Sequence, residues 1–196
     1  MSDGQSLQVR SQAQEYPGGQ GARLIYLNKT CFNGLYRVNK RGQFNVPFGK
    51  YSNPNFLNVE LLKEANRRLN SLGPSGRERA KIEVANFLDA TREVEAGDVV
   101  YFDPPYEPLS KTSSFVAYQE NGFSRANQTE LRDLAVELRA RGATVMVSNS
   151  TADFIIGLYD NLDGFECRTI SSNRSISATS GGRKPVTELL VVGRPE

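Results

Sequence analysis

Apolar positions from residue 59 onward switch between two spacings. Leu61, Leu62, Ala65 and Leu69 recur at helical intervals, predicting a helix over Val59–Leu69, and SLGPSG at 71–76 breaks it. Apolar runs predict strands at 82–87, at Val99–Phe102 after Gly97-Asp98, and at 143–147 ahead of Ser148-Asn149. Between the last two strands, Leu131, Leu134, Ala135 and Leu138 share one face of a helix. Ser124 is placed to cap its start, and it runs through Arg141 to a closing Gly142. Residues 165–170 and 188–192 are two further strand candidates. Strand–helix–strand order predicts an α/β fold with a parallel or mostly parallel sheet.

The stretch before residue 59 is patterned differently. Residues 1–21 are rich in Gln, Ser and Gly and read as a flexible lead-in. Gly18, Gly19 and Gly21 do not read as a phosphate cradle, because no strand precedes them and no clear helix is expected after them. In NKTCFNGLYRVNKRGQFNVPFGKY, residues 28–51, turn signals at Asn33-Gly34 and Arg41-Gly42 separate short aromatic and β-branched pieces. That pattern predicts a basic β-hairpin or looped subdomain. The chain thus divides into a lead-in (1–21), a basic subdomain (22–75) and an α/β unit (76–196).

Composition narrows the chemistry. At 196 residues, 38% hydrophobic and 23% charged, the chain is long enough for a sizeable core. No apolar run reaches the roughly 18 residues of a membrane span, and no apolar leader is read at the start. Two distant cysteines, Cys31 and Cys167, fit a reducing, cytoplasmic setting. Histidine is absent, which excludes imidazole triads, Cys/His zinc centres and HExxH proteases. Chemistry must then rest on carboxylates, amides, hydroxyls, Lys/Arg or a bound cofactor, and no metal is expected.

Net charge is only +2, but it is unevenly spread. No acidic residue lies between Glu15 and Glu60, where Arg23, Lys29, Arg37, Lys40, Arg41 and Lys50 all fall. A second acid-free stretch, between Glu166 and Glu188, carries Arg168, Arg174, Arg183 and Lys184. Either run alone fits a solvated face. Two runs rich in Asn, Ser, Thr and Gly favour a polyanion such as nucleic acid.

The sharpest feature is VVYFDPPYEPLS, residues 99–110. Pro cannot donate to a sheet ladder and pushes its predecessor out of the helical region, so the strand must stop at Asp103 on a stiff elbow. In an open parallel sheet, ligands bind beyond the carboxyl ends of strands, which is where Asp103 falls. The Asp103 carboxylate and the Pro104 carbonyl are two acceptors with no donor, suited to the two N–H groups of an exocyclic amine, and Tyr106 offers a ring to stack on a flat heterocycle. Holding both hydrogens favours a nitrogen of developing tetrahedral geometry, whose lone pair can attack an electrophilic methyl group. An amine of this kind in duplex DNA is reached by flipping the base out.

With these residues in place, the sequence resembles the amino-group DNA methyltransferases, whose catalytic motif VVYFDPPYEPLS matches. NKTCFNGLYRVNKRGQFNVPFGKY, FVAYQENGFS, VMVSNS and NRSISATSGGRKPVTELL resemble successive segments of the Dam-type adenine methyltransferases that act on GATC. The likeness runs in order from about Leu24 to Val192. It implies a Rossmann-like class I methyltransferase sheet carrying an inserted basic β-hairpin as target-recognition element. Asp103, Pro104, Pro105 and Tyr106 would form the catalytic elbow that holds a flipped adenine. Arg37 matches the residue that reads a guanine edge, Leu35 and Pro47 match apolar contacts to base methyls, and Phe32 matches an aromatic wedge beside the flipped base. Asn33, Asn45 and Tyr51 are further DNA-contact candidates in the same element, and Ser175, Ser177, Arg183 and Lys184 are candidates for backbone phosphates. Asn86 and Phe87 match positions flanking the adenine ring of S-adenosylmethionine, the methyl donor, and Asp103 also touches the cofactor side.

The family pattern also has a Lys-bearing WxGGK-like segment, a Gly-rich FxGxG loop and an acidic residue for the cofactor ribose, none of which matches here. The expected sheet is therefore N-terminally truncated, with the two absent strands lying between the one near Ile82 and the one ending at Asp103. A shortened product, a misplaced start, or half of a split enzyme completed by a second polypeptide each fit this departure. The implied function is transfer of a methyl group from S-adenosylmethionine to N6 of adenine in double-stranded DNA, with GATC the expected target. The rivals are a catalytically inactive DNA-binding remnant and a methyltransferase for another amine.

Overall fold

The computed structural model describes residues 19–39, 41–52, 57–109, 123–173 and 185–195, which fall into two units divided near residue 83.

The first unit opens with α1 (Gly19–Thr30), followed by a single 3-10 turn at Phe32–Gly34. A helix does therefore follow Gly18, and the expected lead-in of residues 1–21 ends inside it. Leu27 on its last turns is buried together with Cys31, Phe44 and Val46, with Tyr26 and Leu35 packed against them. This packing outweighs the poor helix propensity of the glycines. The loop that follows is joined by two isolated antiparallel bridges, Cys31 to Phe48 and Val38 to Phe44, and not by extended hairpin strands. Helix α2 (Val59–Leu69) forms where the spacing predicts it, with the Asn58 side chain accepting from the Leu61 amide at 3.1 Å. None of its residues is buried, so its stability rests on that cap and on Glu60–Lys63, Glu64–Arg67 and Glu64–Arg68 pairs along its surface.

In the second unit the expected strand at 82–87 is absent. Residues 81–86 have no regular structure, Ile82 and Val84 are fully solvated, and Phe87 begins the short helix α3 (Phe87–Ala90). An apolar run becomes a strand only when a neighbour satisfies its backbone, and no described strand lies beside this one.

Four strands do form one sheet in the order β1–β2–β4–β3: β1 (Val99–Phe102), β2 (Thr144–Ser150), β3 (Phe165–Asn173) and β4 (Pro185–Gly193). β1 and β2 are parallel, with Phe102 opposite Val147, and the crossover between them carries α4 (Arg125–Ala140). Ser124 and Asn127 close a reciprocal capping box at the start of α4. Gly142 ends it at φ +93°, where a Cβ would come within 2.8 Å of the Ala96 side chain. β4 runs antiparallel to both neighbours, so the sheet is mixed and not mostly parallel. β2, β3 and β4 each run longer than their apolar cores predict. β2 reaches Ser150 because Ser148, Asn149 and Ser150 are buried and pair across to β4. A helix the spacing does not reveal, α5 (Asp153–Tyr159), buries Ile155 and Tyr159. These join Val145, Val147, Leu131, Ala135, Leu138 and Val191 in one core between α4 and the sheet. Among the described residues, no helix is long and apolar enough to cross a membrane.

Candidate functional site

The parallel pairing of β1 with β2 brings two strand ends side by side, and the elbow is built on that edge. Asp103 is exposed at the end of β1, and Ser148 of β2 donates its hydroxyl to Asp103 Oδ1 at 2.8 Å. One residue on, buried Asn149 accepts the Glu107 amide at 3.1 Å and donates to Gln128 Oε1 of α4 at 3.0 Å. Gln128 in turn donates to the Pro105 carbonyl at 2.9 Å. Ser150 donates to the Glu107 carbonyl at 2.6 Å, and the Glu107 carboxylate meets Arg125 at 2.7 Å. The prolines bring carbonyls and no amide hydrogens, so of these backbone bonds only that of the Glu107 amide is donated by the elbow, and its carbonyls accept from other elements. Among the described residues, nothing donates to the carbonyl of Pro104.

Beside the elbow lies a cleft of about 540 Å3 whose lining includes Asn86, Phe87, Asp103, Pro104, Pro105 and Phe123. The structure thus brings Asn86 and Phe87 into one cleft with Asp103. Asn86 spends its side-chain oxygen on the Leu88 amide at 3.0 Å, which starts α3 and turns Phe87 into the cleft wall. Phe87 and Phe123 meet edge to face at 5.8 Å. Two acceptors, a carboxamide and aromatic rings in one cleft suit a flat, amine-bearing heterocycle. Tyr106 is not part of that lining: its hydroxyl lies 3.5 Å from Glu188 on β4, and burial raises the phenol pKa.

In the first unit, Arg37 donates through Nε to Asn45 Oδ1 at 2.8 Å and through Nη2 to the Asn45 carbonyl at 3.1 Å. The Phe32 amide donates to the Pro47 carbonyl at 2.9 Å, and the Asn45 amide to the Arg37 carbonyl at 3.0 Å. Phe32, Arg37, Asn45 and Pro47 are therefore held in one frame. Asn33 sits in the left-handed region at φ 52°, Leu35 is drawn partly into the small core, and Tyr51 stays exposed with its ring over Gly49. Among the described residues, Lys29, Arg37, Arg41 and Lys50 have no carboxylate partner. Arg168 is different: it is bound to Glu166 through 2.6 and 2.7 Å contacts, which removes it from the second basic run. Ser175, Ser177, Arg183 and Lys184 lie outside the described residues.

Sequence reasoning assigned no role to Ser148, Asn149, Ser150 or Gln128. The signal available for the first three was a run of polar residues closing an apolar strand in VMVSNS, opposite the elbow in any parallel pairing.

Residues 5–176 match the family model of the D12 class N6 adenine-specific DNA methyltransferases. A type II methyltransferase of Lactococcus lactis subsp. cremoris is 41% identical over 172 residues, 88% of this chain and 57% of that protein. A type II methyltransferase of Methanocaldococcus jannaschii is 41% identical over 173 residues, covering 87% of this chain and 56% of its own. The DNA adenine methylase of Escherichia coli K12 is 35% identical over 179 residues, 91% of this chain and 60% of the relative. The chain thus spans somewhat over half the length of the curated relatives it matches. By the extent of these matches, the chain belongs to the D12 class of N6 adenine-specific DNA methyltransferases.

Proposed function

We propose that this chain carries the target-recognition and catalytic-elbow portion of a Dam-like enzyme that methylates N6 of adenine in duplex DNA, with GATC as its site. The observation that carries this reading is the acceptor pair at the end of β1. The Asp103 carboxylate is steadied by Ser148 and the Pro104 carbonyl has no donor among the described residues, beside a cleft walled by Asn86 and Phe87.

Those two acceptors are matched to the two hydrogens of an exocyclic amine. Binding both concentrates lone-pair density on the nitrogen away from the acceptors and opposes its delocalisation into the ring. S-adenosylmethionine, when bound, supplies a methyl carbon on a sulfonium, activated for in-line displacement. Asn86 and Phe87 would hold its flat ring end, and Asp103 borders both partners. The donor would supply the methyl carbon, its sulfur taking the carbon–sulfur electron pair as leaving group, and Asp103 would stabilise the positive charge on N6 until one amine proton is shed. Reaching the amine in a duplex requires the base to be extruded, and exposed Phe32, framed by Pro47, is the side chain suited to fill the vacated stack. Arg37 is exposed and keeps donors beyond those spent on Asn45, enough for a bidentate guanine contact.

The reading is tested by transfer of labelled methyl from S-adenosylmethionine to a GATC duplex, with a GTTC duplex as control. Preferential hold on the GATC duplex is the expected result, and label confined to it would show that the cofactor site is completed without the family's Gly-rich loop. Absence of label from a folded chain that still holds the duplex would reduce it to a DNA-binding module.

A further inference from the structure

The elbow contains two consecutive proline carbonyls, and the structure treats them unequally. Gln128 Nε2 donates to Pro105 at 2.9 Å, whereas no described residue donates to Pro104. Gln128 is 2% exposed and Asn149 is fully buried. A carboxamide buried that deeply costs stability unless its polar atoms are satisfied, and here the two amides satisfy each other and the elbow together. Asn149 Oδ1 takes the amides of Glu107 and Ser150, at 3.1 and 2.8 Å, and its Nδ2 fixes the orientation of Gln128 at 3.0 Å. The Gln128 oxygen is thereby committed to Asn149, so its nitrogen must face Pro105.

From this geometry we propose that Gln128 and Asn149 act as a pair of positioning residues. They engage the Pro105 carbonyl and the Glu107 amide so that the Pro104 carbonyl and the Asp103 carboxylate are left as the acceptor pair for the target amine. The pair deepens the function proposed above and rests on it. An alternative register, in which Gln128 engaged Pro104, would satisfy the same amide but consume the acceptor that the amine needs. Asn149 prevents this by holding Glu107 two residues beyond Pro105, fixing the elbow at two points that straddle Tyr106. Neither side chain needs to touch the substrate.

The test uses the full chain with Gln128→Met, which keeps the volume and removes both polar atoms, and Gln128→Glu, which can still accept from Asn149 while its ionised form loses the donor to Pro105. Two readouts are taken on each folded variant. Hydrogen exchange of the Glu107 amide, without DNA, should be roughly tenfold faster in Gln128→Met than in the parent. Permanganate reactivity of the thymine opposite the target adenine in a GATC duplex, which keeps the N6 amine in place, should rise on binding the parent as the adenine leaves the stack. At saturating protein that rise should fall about tenfold in Gln128→Met, and in Gln128→Glu only as rising pH ionises the buried carboxyl, while affinity for the duplex stays within about twofold. Unchanged exchange at Glu107 would overturn the clamp, whatever the DNA does. Faster exchange with full capture of the flipped base would overturn its positioning role. If the parent itself gives no rise, the proposed function fails, and the exchange arm still decides whether the clamp exists.

Discussion

The hydroxyl of Ser148 donates to Oδ1 of Asp103 at 2.8 Å and lies 3.4 Å from the Phe102 carbonyl. Ser148 is 2% exposed while Asp103 is exposed, so a buried, fixed donor orients a solvent-facing carboxylate. Hydrogen bonds to charged acceptors contribute about 1.5–3 kcal/mol, and this one also fixes one carboxylate oxygen, leaving the other to meet an incoming amine. Ser148→Ala removes the donor with little change in packing. It should lower stability by about 1–2 kcal/mol in urea unfolding and weaken capture of the flipped adenine, read as permanganate reactivity of the opposite thymine, more than duplex affinity. A variant as competent as the parent in capture would show that Asp103 needs no such support.

In any form that transfers methyl, Asp103→Ala should abolish the transfer and leave duplex affinity within a factor of about three, because phosphate contacts dominate affinity for DNA. The comparison is made by filter binding and labelled-methyl transfer on the same preparation. Equal loss of both would assign Asp103 to folding, not to chemistry.

Arg37 and Asn45 define the readout expected of the basic loop. Arg37→Ala should cost on the order of 1–3 kcal/mol of specific affinity and narrow the gap between GATC and a scrambled duplex. Asn45→Ala removes the acceptor of Arg37 Nε but leaves the main-chain carbonyl that accepts from Nη2, so it should loosen the guanidinium and narrow the same gap by less, with nonspecific affinity unchanged. Competition binding at fixed salt measures both. A uniform loss across sequences for Arg37→Ala would reassign it to a phosphate contact.

What could be read from the chain follows from how local each cause is. Helix α4 was legible because its apolar stripe, its Ser124 cap and its Gly142 stop are all determined within the helix. The elbow was legible for the same reason: two prolines dictate the end of β1 without help from elsewhere. The apolar run near Ile82 failed because a strand is defined by its neighbour, and the sequence around Val84 is silent on whether one is present. Helix α1 was hidden behind its glycines, since what holds it is Leu27 meeting Phe44 and Val46 across a loop. The clamp on the elbow was unreadable for a related reason. Gln128, Asn149 and Pro105 are ordinary letters in three different elements, and only the parallel pairing of β1 with β2 sets them within hydrogen-bonding distance. In the recognition loop, the motif identified Arg37 and Asn45 as candidates, but their mutual bonding appears only once the loop is closed.

Tyr159, at the end of α5, links the core to solution pH. It is 2% exposed, and burial pushes its phenol well above the ordinary value near 10. The folded chain therefore keeps this proton at pH values where the unfolded chain has released it. Stability from the neutral buried phenol is fully present below about pH 10 and is lost as pH rises from there toward the folded value, by at most roughly 1.4 kcal/mol per pH unit. Tyr159→Phe keeps the ring that packs 6.4 Å from Phe165 and deletes the titrating group. Urea unfolding of both proteins at about pH 8 and about pH 10.5 should show the parent losing more stability across that interval than the variant. Equal losses would mean that the phenol reaches solvent freely, and that the packing of α5 against β3 opens before the rest of the core.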